Sequence, residues 1–145
     1  MPNSKYVACD GGRPAVDAWH RLVENRNPAG LDDLLAEDAV FLSPIVHSPQ
    51  RGKVLTKWYL HAAFGVFFND SFRYVRELIG ENDAMLEFET EIDGILVNGV
   101  DLIKWDVAGK IVEFKVMIRP LKAINLIHER MGAMLKALQA QQAQQ

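Results

Sequence analysis

Asp101 is the residue whose type and surroundings best suit chemistry in this 145-residue chain. It lies in the segment NGVDLIKWD, in phase with Ile103 and Trp105, so the two-residue period of a strand places these side chains on one face. If that face is concave, the carboxyl lies in an apolar cavity, where burial raises its pKa and keeps it protonated. A neutral carboxylic acid can donate a proton or a hydrogen bond to a substrate oxygen. The alternative is a rim residue bonded to the backbone or to a basic side chain.

Aromatic side chains recur at helical or strand spacing and can line a pocket for a flat or terpenoid-like ligand. They are Trp19, Phe41, Trp58, Tyr59, Phe88, Trp105 and Phe114. The same stripes are also typical of a plain hydrophobic core, in which the indole N–H groups still need polar partners. Tyr59 adds a hydroxyl that can orient a ligand carbonyl.

Helical periodicity dominates the first half of the chain. The spacing of apolar residues predicts helices from Pro14 to about Asn25, over 31–36 and over 53–69, with a strand at 39–43 that stops at Pro44. The segment from Pro44 to Gly52 carries two prolines and turn-forming residues, so a loop or irregular hairpin is expected there.

Strand periodicity follows residue 71 and predicts an antiparallel meander of four strands: 72–79, 84–92, 95–107 and 110–119. Asp93-Gly94 and Ala108-Gly109 lie between alternating runs, which is a hairpin signal. A final helix begins at Pro120. We expect a flexible leader at 1–13, a single domain at 14–138 and a frayed Gln-rich tail at 139–145.

Composition excludes several classes of function. Sixteen Lys and Arg against nineteen Asp and Glu leave no basic excess for nucleic acid. The four His are scattered, so no metal site is predicted, and no motif suggests a cofactor. No apolar run is long enough to span a membrane, and the N-terminus lacks a signal-peptide core. The single Cys cannot form an internal disulfide, which favours a cytoplasmic setting.

Two segments carry a resemblance to a known family. LLAEDAVFLSPIVHSPQRGKVLTKWY, residues 34–59, resembles the segment of SnoaL-like proteins that runs from an acidic residue through a strand, Pro, loop and Gly to a helix. VEFKVMIRPLKAI, residues 112–124, resembles their last strand with its Arg-Pro exit. Over about 14–135 the chain is similar to the nuclear transport factor 2-like superfamily, which includes ketosteroid isomerase. The resemblance implies a cone-shaped α+β fold: a curved antiparallel sheet around N-terminal helices and an apolar pocket, here with an extra C-terminal helix.

The isomerase pattern of that family matches this chain at one position of three. It needs a carboxylate base ahead of the Pro after the first strand, a Tyr in the first helix and a protonated Asp in the third meander strand. Here those positions hold Ser43, Trp19 and Asp101. The acid set of limonene epoxide hydrolase and the His and Tyr set of scytalone dehydratase are also incomplete.

The predicted site therefore combines one acid with helpers and a lining. Asp101 is the candidate catalytic acid or donor, and Tyr59 and His47 are helpers, since the resemblance implies that the loop of His47 lies near the pocket mouth. Arg119 is a candidate anion anchor or a structural bridge. The candidate ligand-binding residues are Trp19, Phe41, Ser43, Trp58, Phe88, Trp105, Phe114 and Arg119.

Three functions remain open from the sequence. The first is a cyclase, isomerase or hydrolase that acts on a small apolar oxygenated substrate. The second is a non-catalytic module that binds a small apolar or aromatic molecule. The third is an interaction domain, since members of the family commonly form homodimers through the sheet. Substrate and reaction type are not determined by these residues, because one fold hosts many functions.

Overall fold

The computed structural model describes residues 13–143. The predicted leader, 1–13, lies outside the described residues apart from Arg13, where the first helix begins, and so do the last two residues of the predicted tail. Residues 139–143 of that tail continue the C-terminal helix with exposed side chains, and fraying of 139–145 stays a prediction.

Helices and strands follow the predicted order closely. The helices are α1 (Arg13–Asn25), α2 (Leu31–Leu34), α3 (Lys53–Phe67) and α4 (Leu121–Ala143), with a short 3₁₀ turn at Pro28–Gly30. The strands are β1 (Leu35–Leu42), β2 (Gln50–Arg51), β3 (Arg73–Ile79), β4 (Asp83–Ile92), β5 (Ile95–Trp105) and β6 (Ile111–Arg119). No helix within residues 13–143 has both the length and the apolar character needed to cross a membrane.

All strands form one curved, unclosed sheet in the order β2-β1-β6-β5-β4-β3. The last four strands are the predicted antiparallel meander, and the fold is the expected α+β cone. Two features differ from the expectation. β1 pairs with β6 in parallel, and β1 begins at Leu35 rather than at 39 because Leu35 pairs with Ile111. That partner is distant in sequence, so local periodicity does not reveal it.

One face of the sheet is buried along the two central strands of the meander, β4 and β5. In β4 and β5 every second side chain is buried, and this set includes Leu86, Phe88, Asp101, Ile103 and Trp105. The apolar side chains of this set pack against residues of α1 and α3, as expected of an antiparallel sheet with one buried face. The predicted phase of Asp101 with Ile103 and Trp105 is confirmed.

The C-terminal helix covers the open side of the cone. α4 packs on α3, β5 and β6, with Ala123 and Ile127 fully buried. At the contact of α4 with α3, Gly65 faces the end of Met134, because a Cβ at 65 would lie 2.6 Å from the Met134 Cε. A larger residue at 65 therefore requires the flexible end of Met134 to move.

Candidate functional site

A cavity of about 220 Å³ lies between the concave face of the sheet, α1, α3 and α4. Its walls are mostly apolar, as in most small-molecule sites. The lining residues are Trp19, Phe41, Ser43, Pro44, Ile45, Val46, Tyr59, Leu60, Ala63, Phe67, Phe68, Phe72, Phe88, Asp101, Phe114, Val116, Ile127, His128, Met131, Gly132 and Leu135.

The inner end of the cavity, formed by Trp19, Asp101 and Phe114, is buried. Trp19 and Phe114 are 1% exposed and Asp101 is 6% exposed. Asp101 is held in the middle of the sheet, since β5 pairs with β4 on one side and with β6 on the other. Its carboxyl is therefore positioned by two strands and faces an aromatic wall.

A hydrogen-bond relay through Tyr74, outside the cavity wall, holds one oxygen of the Asp101 carboxyl. The Tyr74 hydroxyl on β3 donates to Asp101 Oδ2 at 2.7 Å, and Trp19 Nε1 on α1 donates to the Tyr74 hydroxyl at 2.8 Å. The other oxygen, Oδ1, has no hydrogen-bond partner among the described residues. One oxygen of Asp101 is thus occupied, and the other remains available to a ligand.

Burial dominates the protonation of this site. It raises the pKa of Asp101 from 3.8 to about 7, against the hydrogen bond from Tyr74 and the charge of His20, which both lower it. The pKa of Tyr74 lies well above 10, because the hydroxyl is buried and faces the Asp101 carboxyl. Near neutral pH, Asp101 therefore exchanges between an acid that donates and a carboxylate that accepts.

The mouth of the cavity is formed by the loop Ser43–Val46 and by α4 residues His128, Met131, Gly132 and Leu135. It is more exposed than the inner end, with Val46 at 48%. Ser43 Oγ accepts hydrogen bonds from the backbone N–H groups of Ile45 at 2.9 Å and Val46 at 3.2 Å. Ser43 thus stabilises the turn of the loop, and no carboxylate stands at this position.

Titratable groups are few in the cavity wall. Of the described residues that line it, only Tyr59, Asp101 and His128 carry an ionisable side chain, and none is Lys or Arg. Tyr59 stacks on Phe41 with ring centroids 5.4 Å apart. No group of three or more His, Cys, Asp or Glu within residues 13–143 is arranged to hold a metal ion. The wall therefore offers one buried acid, one phenol and one exposed imidazole.

Seven of the predicted site residues come together at this cavity. They are Trp19, Phe41, Ser43, Tyr59, Phe88, Asp101 and Phe114. The four aromatics Trp19, Phe41, Phe88 and Phe114 serve the core as well, since each is at most 3% exposed.

Four predicted site residues lie away from the cavity wall, which corrects the expectation. Trp105 is buried in the same core, but four residues along β5 from Asp101, or about 13 Å. Trp58 is turned about 100° around α3 from Tyr59. Arg119 is exposed and donates to Asn98 Oδ1 at 3.3 Å, and His47 is exposed beside a separate surface depression near Lys115.

Two residues of the site, Tyr74 and His128, are not among those predicted from the sequence. The regular alternation of β3 counted back from the buried Ile79 places Tyr74 on the outer face, but the register shifts between Tyr74 and Arg76 and turns Tyr74 inward. The apolar stripe of α4 contains Ile127 and Met131, so a neighbouring His at the cavity rim is compatible with that stripe.

Comparisons with known proteins bear on the whole chain. No protein-family model matches the sequence, and no curated protein matches it. A steroid delta-isomerase from Pseudomonas aeruginosa is 33% identical, with 92% of this chain and 97% of that chain covered and a TM-score of 0.86. An uncharacterised protein with a cystatin-like fold from Silicibacter pomeroyi is 29% identical over 86% of each chain, with a TM-score of 0.78.

A more distant structure shares the fold alone. It is a nuclear transport factor 2-like protein of unknown function from Mesorhizobium loti, 19% identical, with 83% of this chain and 98% of that chain covered and a TM-score of 0.65.

Proposed function

The chain belongs to the nuclear transport factor 2-like superfamily, and from that premise we propose that its cavity binds a small, mostly apolar molecule with an oxygen atom directed at Asp101. The observation that carries this proposal is a buried carboxyl in an aromatic cavity, with one oxygen free of protein partners. In its protonated form that carboxyl donates to a carbonyl, ether or hydroxyl oxygen.

Cavity size limits the ligand. An apolar cavity of about 150 Å³ accommodates benzene, so about 220 Å³ suits one ring or two fused rings. A longer molecule must extend through the mouth past His128 and Leu135. The absence of Lys and Arg from the described wall favours an uncharged ligand.

The test compares two bicyclic probes of the same shape, the ketone 1-indanone and the hydrocarbon indane, by NMR titration at about pH 5.5. We expect the wild type to bind the ketone about tenfold more tightly, the range of one buried hydrogen bond. Asp101→Leu should bind both probes equally, because it has no donor. The matched variant Asp101→Asn should keep the preference, because its amide N–H₂ can replace the acid. Equal binding of both probes by the wild type contradicts the proposal.

Acid–base catalysis is a second candidate, favoured by His128 and Asp101 in one cavity wall and by the steroid delta-isomerase at 33% identity. In this reaction the neutral His128 imidazole removes a proton from the carbon next to a ketone, while Asp101 protonates the carbonyl oxygen, and an enol forms. Transfer of that proton from His128 to another carbon, while the enol O–H proton returns to Asp101, gives the isomeric ketone and restores both residues. Tyr59 is then a helper that orients the ketone.

Product analysis separates binding from catalysis. A β,γ-unsaturated cyclic ketone that is recovered unchanged after long incubation with the wild type supports binding alone. Conversion to the conjugated isomer that slows in both Asp101→Leu and His128→Gln supports catalysis. Conversion that neither variant slows argues against these two residues as the catalytic pair.

A second copy of the chain is the partner we propose for the outer face of the sheet. Exposed Leu96 and Met117 lie on that face, with Val100 opposite Met117 in the pairing of β5 with β6. Charged residues lie beside them on the same face: Glu91 is opposite Leu96, and Lys115 and Arg119 lie two residues on either side of Met117. A dimer mass by light scattering that Met117→Glu converts to a monomer mass supports this interface, and a monomeric wild type contradicts it.

A further inference from the structure

The relay behind Asp101 has a direction that follows from the chemistry of its members. An indole N–H can only donate, so the Tyr74 oxygen must accept from Trp19 Nε1 at 2.8 Å. Tyr74 has one hydroxyl proton, and Asp101 Oδ2 at 2.7 Å is its only acceptor among the described residues. Oδ2 therefore receives a hydrogen bond in either protonation state of Asp101.

This direction decides which oxygen carries the acid proton. A proton on Oδ2 would compete with the Tyr74 proton for the same short contact and leave the hydroxyl without an acceptor, which is costly for a buried donor. The proton of neutral Asp101 is thus held on Oδ1, the oxygen without a protein partner. Without the relay, a carboxylic acid can carry its proton on either oxygen.

We propose that Tyr74 and Trp19 are positioning residues that hold the acid proton on Asp101 Oδ1, so that the cavity selects ligands with an acceptor oxygen over donor-only molecules of the same shape. This inference rests on the proposed function and defines the polarity of the ligand. Tyr74 lies outside the cavity wall and acts through Asp101. The Trp19 ring lines the wall, but its N–H is occupied by the Tyr74 hydroxyl, so this polar group acts through Tyr74 and Asp101.

The test compares two separate NMR titrations at about pH 5.5, one with 1-indanone and one with indole. Indole has one N–H donor on a two-ring frame. In the wild type, 1-indanone should bind more tightly than indole by about tenfold. In Tyr74→Phe the proton can occupy either oxygen, so 1-indanone should weaken by about twofold, and indole, which now finds an acceptor on Oδ1, should strengthen severalfold. Their ratio should fall by about fivefold or more.

Trp19→Phe is the second variant. Here the Tyr74 hydroxyl loses its fixed donor and can turn, so the ratio should lie between those of the wild type and Tyr74→Phe. The matched control is Thr56→Val, which removes a buried hydroxyl that donates to the Ala39 carbonyl outside the cavity. The ratio in this control should equal that of the wild type.

A pH profile provides a readout that a merely structural role of Tyr74 would not move. Ionisation of Asp101 turns Oδ1 into an acceptor, so the wild-type preference should reverse in favour of indole as the pH rises through about 7. Tyr74→Phe removes a hydrogen bond to the carboxylate, so this reversal should move to higher pH. The other titratable groups near this relay are His20 on α1, whose charge acts on Asp101, and Glu77 on β3, which pairs with His20 at 2.7 Å. Tyr59 on α3 and His128 on α4 share the cavity wall with Asp101.

The outcomes distinguish the two proposals. If the wild type does not prefer 1-indanone over indane, the proposed function fails. If that preference holds and Asp101→Leu removes it, but both Tyr74→Phe and Trp19→Phe keep the indanone-to-indole ratio within about twofold of the wild type, the binding proposal stands and the relay proposal is overturned.

Discussion

The two ends of the cavity are built in different ways. At the inner end, side chains from α1, β3 and β5 meet in one hydrogen-bond relay, and Asp101 is locked between two paired strands. At the mouth, a loop closed by Ser43 faces one side of α4, and most side chains are partly exposed. The sheet therefore fixes the position of the Asp101 carboxyl at the inner end, whereas the mouth determines how large a ligand can be and how it enters.

The same contrast explains why the site holds an acid without a carboxylate base. The inner end supplies burial, which raises the pKa of Asp101 and favours its neutral form. The mouth has Ser43 where isomerase chemistry needs a carboxylate, and the Ser43 oxygen is already engaged by two backbone N–H groups. This arrangement suits recognition or polarisation of an oxygen better than removal of a proton from carbon.

Truncating one large side chain at each end of the cavity should lower the free energy of unfolding by very different amounts. Phe114→Ala should lower the free energy of unfolding by about 3–5 kcal/mol, because the ring is fully buried against Trp19 at 4.8 Å between centroids. Leu135→Ala, at the partly exposed mouth, should cost about 1 kcal/mol. Urea denaturation measures both, and equal losses would contradict the contrast between the ends.

Stability should depend on pH through the inner end. The pKa of Asp101 is about 7 in the folded chain, whereas its ordinary value, taken for the unfolded chain, is 3.8. Between these two pH values the folded state therefore binds more protons than the unfolded state. The free energy of unfolding should therefore fall by about 2–4 kcal/mol as the pH rises from about 4 to about 7, and then level off.

Asp101→Asn is the control for that slope, because it cannot titrate. The difference in unfolding free energy between Asp101→Asn and the wild type should grow in favour of the variant across the same pH range. A constant difference would show that Asp101 ionises in the folded chain as it does in the unfolded one.

Adding a base at the mouth tests whether the missing carboxylate limits chemistry. Ser43→Asp can accept the same two backbone hydrogen bonds and also places a carboxylate in the cavity wall. Deuterium exchange at the carbon next to the ketone of 1-indanone should rise about a hundredfold over the wild type. NMR in D₂O measures this rate.

His47→Asp is the matched control, since it adds the same group outside the cavity wall and should leave the exchange rate unchanged. Exchange that rises in both variants, or in neither, would contradict the view that the missing carboxylate at position 43 limits proton removal.

Small effects are expected where α4 seats on α3. Gly65→Ala gains helix propensity but pushes the flexible end of Met134, so its net effect on stability should be below about 1 kcal/mol. Gly132→Ala has open space around its new methyl and should stabilise α4 by about 0.5–1 kcal/mol. Thermal unfolding compares them, and a larger gain for Gly65→Ala would contradict the close seat of α4.

Much of the fold could be predicted from local sequence, because apolar periodicity and turn residues act over a few positions. The meander, the phase of Asp101 and the helical segments follow from such patterns. The start of β1 at Leu35 could not, since its partner Ile111 is distant in the chain. Trp105 lies on the same face of β5 as Asp101 but does not line the cavity. Alternation predicts the face of a strand, but not which positions along that face border a cavity.

Tyr74 marks the limit of pattern reasoning for the site. Side chains alternate between the two faces of a strand until a bulge shifts the register. In β3 the irregularity between Tyr74 and Arg76 places Tyr74 on the face opposite to the one that alternation assigns. The resemblance led to Asp101 and Ser43, but the partner of Asp101 comes from a strand that carries no motif. The position of His128 at the cavity rim could not be predicted either, because the apolar stripe of α4 does not show which part of the fold the helix packs against.

The proposed role of Asp101 is tested most directly by its pKa, followed by ¹³C NMR of its carboxyl carbon in the ligand-free protein. We expect a titration near 7, from a carboxyl that is protonated in the cavity at mildly acidic pH. In Tyr74→Phe the pKa should be higher, because one hydrogen bond to the carboxylate is lost. A titration near the ordinary value of about 3.9 would contradict this role, since Asp101 would then be an ionised acceptor at neutral pH.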